Sequence, residues 1–131
     1  MNSVSVSLLF AACCGLLQCV LTALVIIRRA QTGVDFLDGG DLQLLRRMRA
    51  HGNLSETAPM ALLLMALLEL GGLGRAWLTG FGIALLLGRL LHAHSLLTNN
   101  AAWSRRGGMT LTLAVISIEA VCAIGLFLRG A

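Results

Sequence analysis

Residues 4–27 form an uncharged, largely apolar run, and this run constrains the fold more than any other feature of the chain. At about 1.5 Å per residue, a helix of this length extends about 36 Å, which exceeds the roughly 30 Å hydrocarbon core of a bilayer. Within that core a backbone must satisfy its own hydrogen bonds. The run therefore predicts a membrane-spanning α-helix.

Three further apolar segments follow, each interrupted by only a few polar residues. Charged residues make up 12% of the chain and its mean hydropathy is +0.85, whereas soluble domains carry about a quarter charged residues. We predict an all-α, integral membrane four-helix bundle that forms a single domain over residues 1–131 and is surrounded by membrane lipids. The expected spans are residues 4–29, 41–71, 76–98 and 107–129.

All ten basic residues are arginines, and their positions predict the orientation of the chain in the membrane. If the spans alternate in direction, seven arginines fall on one side, only Arg75 and Arg129 fall on the other, and Arg89 lies within the membrane. The positive-inside rule then places the arginine-rich side in the cytoplasm and both termini outside it. Because the arginines flank spans and form no basic face with interleaved aromatic residues, we expect no nucleic-acid partner.

Two local patterns predict how the helices begin and pack. Asp41 follows two glycines and precedes the second apolar segment, as an N-cap residue does. In the third segment small residues recur every fourth position at Gly80, Ala84 and Gly88, leading to His92. Such a stripe allows close helix contact within a membrane.

The second segment opens with a polar stripe formed by Arg49, Asn53 and Glu56. Positions i, i+4 and i+7 lie on one face of a helix. Polar and ionisable groups that enter an apolar span usually line an interior or a water-filled cavity. We therefore expect the functional site at this stripe.

Depth matching extends the stripe into a cluster across helices. In an antiparallel pair formed by the second and third segments, Asn53 lies level with His92 at about 10 Å, and Glu56 level with Arg89 at about 15 Å. Glu119 in the fourth segment reaches about 18 Å by the same rise. Because unpaired charges at such depths are costly, we predict an ion-pair network of Glu56, Arg89 and Glu119.

The chemistry of this cluster favours an anionic peptide as ligand over a metal ion. Guanidinium groups at the rim, the Asn53 amide and the Glu56 carboxylate suit a small zwitterion with several carboxylates and one ammonium group, which is the pattern of glutathione. No histidine pair has the spacing of a helical metal site, so no metal is expected. The alternative for Arg89 and Glu119 is a purely structural role.

At these residues the chain resembles the superfamily of membrane-associated proteins in eicosanoid and glutathione metabolism (MAPEG), and most closely its small bacterial members. The resemblance spans the four segments and rests on two motifs, Arg49-Ala50-His51-x-Asn53-x-x-Glu56-x-x-Pro59 and Gly88-Arg89-Leu90-Leu91-His92.

The resemblance implies a homotrimer in a bacterial inner membrane, with glutathione bound as co-substrate between subunits near the cytoplasmic face. It implies a thiolate-stabilising arginine near the start of the fourth helix, which is Arg105 or, within a one-residue slip, Arg106. The glutathione-binding residues are expected to be Arg28, Arg29, Arg49, Asn53, Glu56 and His92.

The function that we expect is a glutathione transferase or peroxidase acting on lipophilic electrophiles. The chain contains no tyrosine and has Leu96 four residues after His92, where several members of the superfamily place a tyrosine. A tyrosine-based activation of the thiol is therefore excluded. The alternatives are a catalytically silent glutathione-binding or scaffold protein and a small proton-coupled multidrug exporter.

Overall fold

The computed structural model describes residues 4–98 and 102–130 of the chain. These residues form four α-helices and no strand: α1 (Ser5–Thr32), α2 (Leu42–Leu70), α3 (Arg75–Thr98) and α4 (Ala102–Gly130). All four helices are long and apolar enough to cross a membrane, so the protein is a multi-pass integral membrane protein. The predicted all-α, four-helix membrane architecture is confirmed.

The helices α2 and α3 form the centre of the bundle. Helix α1 packs against α2 and α3, and α4 packs against the same two helices, while α1 and α4 make no contact within the described residues. Much of the outer surface of α1 and α4 is consequently apolar and exposed, as Leu16 and Phe127 illustrate. Such surfaces suit contact with lipid or with another subunit.

The connection from α1 to α2 is fixed by capping interactions at both helix ends. Gly33 adopts a left-handed conformation (φ 67°), and its N–H donates to the Arg29 carbonyl at 2.9 Å, which closes α1. The Asp41 side chain accepts a hydrogen bond of 2.6 Å from the Leu44 N–H, which confirms Asp41 as the N-cap of α2.

The first turn of α1 is capped by a residue of another helix. Val4 at the N-cap position provides no side-chain hydrogen bond. Instead, the Glu69 carboxylate near the end of α2 accepts from the Val6 N–H at 2.9 Å and from the Ser7 N–H and Oγ at 2.8 and 2.6 Å. These bonds satisfy amides that a helix leaves free and hold the start of α1 against the end of α2.

Close contact between α3 and α4 depends on two glycines. A Cβ atom on Gly88 would lie 2.9 Å from the Gly108 carbonyl oxygen, and one on Gly108 would lie 2.5 Å from the Gly88 oxygen. Gly88 therefore has the packing role predicted for it, whereas Gly80 of the same stripe has no neighbouring atom within 4 Å. Gly82, two residues after Gly80, packs against the ring of Phe10 from α1.

The two ends of the bundle differ in charge. Helix direction alternates, so the end of α1, the start of α2, the end of α3 and the start of α4 lie together. We call this the arginine-rich end; it carries Arg28, Arg29, Arg46, Arg47, Arg49, Arg105 and Arg106. Exposed Trp103 lies near this end and exposed Trp77 near the other, as aromatic residues do at the two membrane interfaces.

Candidate functional site

A cleft of about 620 Å³ lies at the arginine-rich end, between α2, α3 and α4. This volume is within the usual range for small-molecule sites, about 300–1,000 Å³. The cleft is lined by five of the residues predicted for the glutathione site, Arg49, Asn53, Glu56, His92 and Arg105, and by Leu45, Met48, Gly52 and Leu96.

One face of α2 forms a wall of the cleft. Arg49, Asn53 and Glu56 share this face, as their helical spacing predicts. Gly52 lies among them, and the nearest atom to a Cβ built on it, the Glu56 Oε1, is 3.9 Å away. The absence of a side chain at Gly52 therefore leaves space between the polar groups of the stripe.

Arg89 is buried behind Asn53, with only 2% of its surface exposed. Its Nη1 donates to Asn53 Oδ1 and, at 3.1 Å, to Thr57 Oγ1, and its Nη2 donates to the Gly108 carbonyl at 3.1 Å. The Asn53 carbonyl oxygen accepts from Arg89, and one amide N–H donates to Met109 Sδ at 3.7 Å, so the second amide N–H remains for a ligand. Arg89 thus ties α3 to both α2 and α4 directly beneath the cleft.

The predicted ion pair between Glu56 and Arg89 is wrong. Glu56 lies at the depth expected, but its side chain is exposed and lines the cleft, and Arg89 bonds to Asn53 and Thr57 instead. The reason is the direction of the side chains around the helix axis. Successive residues of a helix are rotated by about 100° about this axis, so two side chains at the same depth need not face each other. Within the described residues the Arg89 Nη atoms donate to neutral oxygens and, at 3.9 Å, to Met109 Sδ, whereas Nε has no hydrogen-bond partner.

The predicted participation of Glu119 in this network is also wrong. Gly108 accepts from Arg89 and is therefore level with it, and Glu119, eleven residues further along α4, lies about 16 Å deeper. Its side chain is 1% exposed, and neither carboxyl oxygen has a hydrogen-bond partner within the described residues. The sequence analysis placed the start of the fourth span at residue 107, whereas α4 begins at Ala102 and contacts α3 already at Gly108.

His92 lines the cleft from α3, next to the close contact between α3 and α4. Its side chain is buried, and its backbone N lies 2.9 Å from the position of a Cβ built on Gly108. His92 and Asn53 therefore approach the same cleft from different helices, as their matched depth predicts.

Arg28 and Arg29 do not line the cleft. Arg28 forms an ion pair of 2.6 Å with Asp41, and this hydrogen bond, together with that from the Leu44 N–H, lowers the pKa of the Asp41 carboxyl from its ordinary value. Arg29 donates to the carbonyls of Val34 and Asp35 at 3.0 and 2.9 Å. Both arginines thus stabilise the connection between α1 and α2.

The two candidate thiolate-stabilising arginines occupy different positions. Arg105 lines the cleft from the first turns of α4, and Arg106 does not. Both side chains are exposed, and within the described residues neither has a hydrogen-bond or ion-pair partner. The Arg105 guanidinium is consequently available to an anion in the cleft.

Sequence reasoning missed Thr57 and Met109 in this region. Thr57 accepts from Arg89, and Met109 Sδ lies 3.7 Å from Asn53 Nδ2 and 3.9 Å from Arg89 Nη2. Thr57 follows Asn53 by four residues, so the helical spacing that linked Arg49 to Asn53 could have included it. Met109 has no comparable signal, since its place depends on the register of α4 against α3.

Comparison with known proteins assigns the chain to a family. The sequence profile of the MAPEG family matches residues 7–125. The chain is 37% identical over 108 residues to Inner membrane protein YecN of Escherichia coli strain K12 and equally to the protein of that name from Escherichia coli O6:H1. Each alignment covers 82% of this chain and 81% of the relative. The match to the family profile spans all four helices and both motifs, and the chain belongs to the MAPEG family.

Proposed function

We propose that this protein is a glutathione-dependent transferase or peroxidase that acts on lipophilic electrophiles. The observation that carries the proposal is the cleft at the arginine-rich end, which is lined by Arg49, Asn53, Glu56, His92 and Arg105. Membership in the MAPEG family supports a role related to glutathione.

The charges of the cleft complement those of glutathione, which carries two carboxylates, one ammonium group and a thiol. Arg49 and the remaining Asn53 N–H suit the carboxylates, and the exposed Glu56 carboxylate suits the ammonium group. Buried Arg89 adds positive charge behind Asn53 that no carboxylate compensates within the described residues. The site therefore favours an anionic ligand with a single cationic group.

In the proposed reaction Arg105 stabilises the glutathione thiolate electrostatically, without acting as a base. The thiol proton leaves to solvent. In the transferase reaction the thiolate sulfur attacks an electrophilic carbon, a C–S bond forms, and the leaving group departs with its bonding electrons. In the peroxidase reaction the sulfur attacks the terminal oxygen of a hydroperoxide, so that an S–O bond forms, the O–O bond breaks, and the alkoxide leaves and takes up a proton to become an alcohol. A second glutathione then converts the sulfenic acid to a disulfide and water.

The proposal places the protein in a bacterial inner membrane, as the printed name of its E. coli relatives states for them. The arginine-rich end faces the cytoplasm and both termini lie outside it. Glutathione enters from the cytoplasm and the electrophile from the bilayer. The active form is a homotrimer, in which Arg28 and Arg29, which do not line their own cleft, complete the cleft of a neighbouring subunit.

The test uses purified protein in detergent and in lipid. We expect glutathione to bind at millimolar concentration or below by calorimetry, a thiolate absorbance to develop, and an activated aryl chloride to be conjugated. Arg105→Gln should lower turnover by about 100-fold or more, the usual cost of removing one preorganised donor. Arg106→Gln distinguishes the two candidate arginines, and Arg129→Gln at the opposite end is the control. Absence of glutathione binding in both environments contradicts the proposal.

One observation favours the alternative of a silent glutathione-binding protein. Leu96 contributes an apolar side chain to the cleft at the position where several members of the superfamily have a tyrosine, and the chain contains no tyrosine. Under this alternative glutathione binds, and neither the thiolate absorbance nor turnover is detected. The same two measurements therefore separate the alternatives.

The alternative of a proton-coupled exporter requires a lone, accessible carboxylate in the membrane. Glu56 is exposed and has no ion-pair partner among the described residues. Membership in the MAPEG family now supports the glutathione proposal over the exporter. Proton-coupled dye efflux in proteoliposomes is the measurement that would support the exporter instead.

A further inference from the structure

A second cleft, of about 310 Å³, lies at the arginine-rich end, and none of its described lining residues belongs to the first cleft. It is formed by the start of α2 and the end of α3 and is lined by Gln43, Arg46, Arg47, Leu97 and Thr98. Because both helices end here, the cleft lies where lipid headgroups meet the spans.

The residues that the structure describes do not neutralise the cations of this cleft. Arg46 has no hydrogen-bond or ion-pair partner within the described residues. Arg47 donates through Nη1 to the Leu24 carbonyl of α1 at 2.7 Å, which anchors its guanidinium and leaves its other N–H groups free. Among the described residues, no acidic side chain lines the cleft. Two adjacent guanidinium groups in this state favour a phosphate, whose oxygens they can bind in pairs.

The remaining polar groups of the cleft suit hydroxyl groups next to a phosphate. The Thr98 hydroxyl donates to the His94 carbonyl at 2.8 Å, so its oxygen is left as an acceptor. Gln43 provides a carboxamide, which can both donate and accept, and Leu97 provides an apolar edge. A phosphate ester with a hydroxylated headgroup and an apolar tail matches this set.

We propose that this cleft binds the headgroup of an anionic phospholipid, such as a phosphatidylglycerol, from the adjacent leaflet. Basic pockets between membrane helices on the cytoplasmic side are known to hold anionic headgroups. The source of the phosphate is a lipid because the cleft opens at the ends of two spans, at headgroup depth. The proposal is independent of glutathione chemistry, since the two clefts have no residue in common.

The test is native mass spectrometry of the purified protein in detergent, titrated with phosphatidylglycerol or phosphatidylcholine. We expect preferential retention of phosphatidylglycerol. One arginine near an anionic membrane surface strengthens binding about fivefold. Arg46→Gln should therefore weaken retention about fivefold, and Arg46→Gln with Arg47→Gln should weaken it about thirtyfold. The matched control, Arg75→Gln with Arg129→Gln, removes the same charge at the opposite end and should leave retention unchanged.

Three outcomes contradict the proposal. The first is equal retention of the two lipids by the wild type, and the second is an equal loss in the matched control. The third is displacement of phosphatidylglycerol by millimolar inorganic phosphate, which would assign the cleft to a soluble anion. Because Arg47 bonds to α1, the single Arg46→Gln variant keeps the test valid even where the double variant unfolds.

Discussion

The contact between α3 and α4 makes a quantitative prediction for Gly108→Ala. The added Cβ would lie 2.5 Å from the Gly88 oxygen and 2.9 Å from the His92 backbone N. Both atoms belong to backbone and cannot rotate away. To restore an ordinary contact of 3.4 Å to the Gly88 oxygen, the helices must separate locally by about 0.9 Å.

This separation also affects Arg89. The bond from its Nη2 to the Gly108 carbonyl is 3.1 Å long and would be stretched beyond hydrogen-bonding distance. Overpacking usually costs about 1–3 kcal/mol, and loss of a hydrogen bond to a charged group about 1.5–3 kcal/mol. Because the two effects arise from one displacement and are not additive, we expect Gly108→Ala to lower the free energy of unfolding by about 2–4 kcal/mol.

The assay is equilibrium unfolding in mixed micelles of sodium dodecyl sulfate and a mild detergent, followed by the fluorescence of the two tryptophans. The matched control is Gly107→Ala on the preceding residue, where a Cβ has no neighbour within 4 Å. Because alanine restricts the unfolded chain, this control should be neutral or stabilising by up to about 1 kcal/mol. Equal stability of the two variants would refute the packing argument.

Asn53→Asp should separate folding from ligand binding. A carboxylate keeps the contact with Arg89, so the stability of the fold should be retained. Loss of the amide donor should weaken glutathione binding, measured by calorimetry, about tenfold or more. Unchanged affinity would remove Asn53 from the site. Asp41 should give a pH dependence, because its lowered pKa makes the pair with Arg28 stabilising above the ordinary carboxyl pKa of about 3.9. The stability difference between wild type and Asp41→Asn, which keeps an N-cap acceptor, should therefore shrink as the pH falls below about 4, and a constant difference would contradict this.

The parts of the fold that depend on composition and spacing along one helix were predictable from sequence. Four long apolar segments predict four helices because a bilayer admits few other structures. The N-cap at Asp41 and the shared face of Arg49, Asn53 and Glu56 follow from local geometry that tertiary packing did not alter. The three polar cleft residues contributed by α2 were accordingly found, whereas Leu45, Met48 and Gly52 were not.

The parts that depend on how two helices face each other were not predictable. Depth matching uses only the rise along each axis, and it correctly brought Arg89 to the level of residues 53–57 on α2. Depth matching does not determine the rotation of each helix about its axis. It therefore predicted Glu56 as the partner of Arg89, whereas Arg89 donates to Asn53 and Thr57. The register of α4 against α3 could not be predicted either. It is set by the contact between Gly88 and Gly108 and not by the residue at which the apolar run begins.

The failure of the predicted ion-pair network bears on the proposed chemistry. Had Glu56 or Glu119 paired with Arg89, the charge beneath the cleft would have been compensated within the protein. Instead, neutral oxygens of Asn53, Thr57 and Gly108 hold the guanidinium and leave its positive charge in place. Electrostatic interactions are stronger where water is excluded. Because Arg89 contacts Asn53 and Asn53 lines the cleft, this buried charge reinforces Arg49 and Arg105 in attracting an anion, as stabilisation of a thiolate requires.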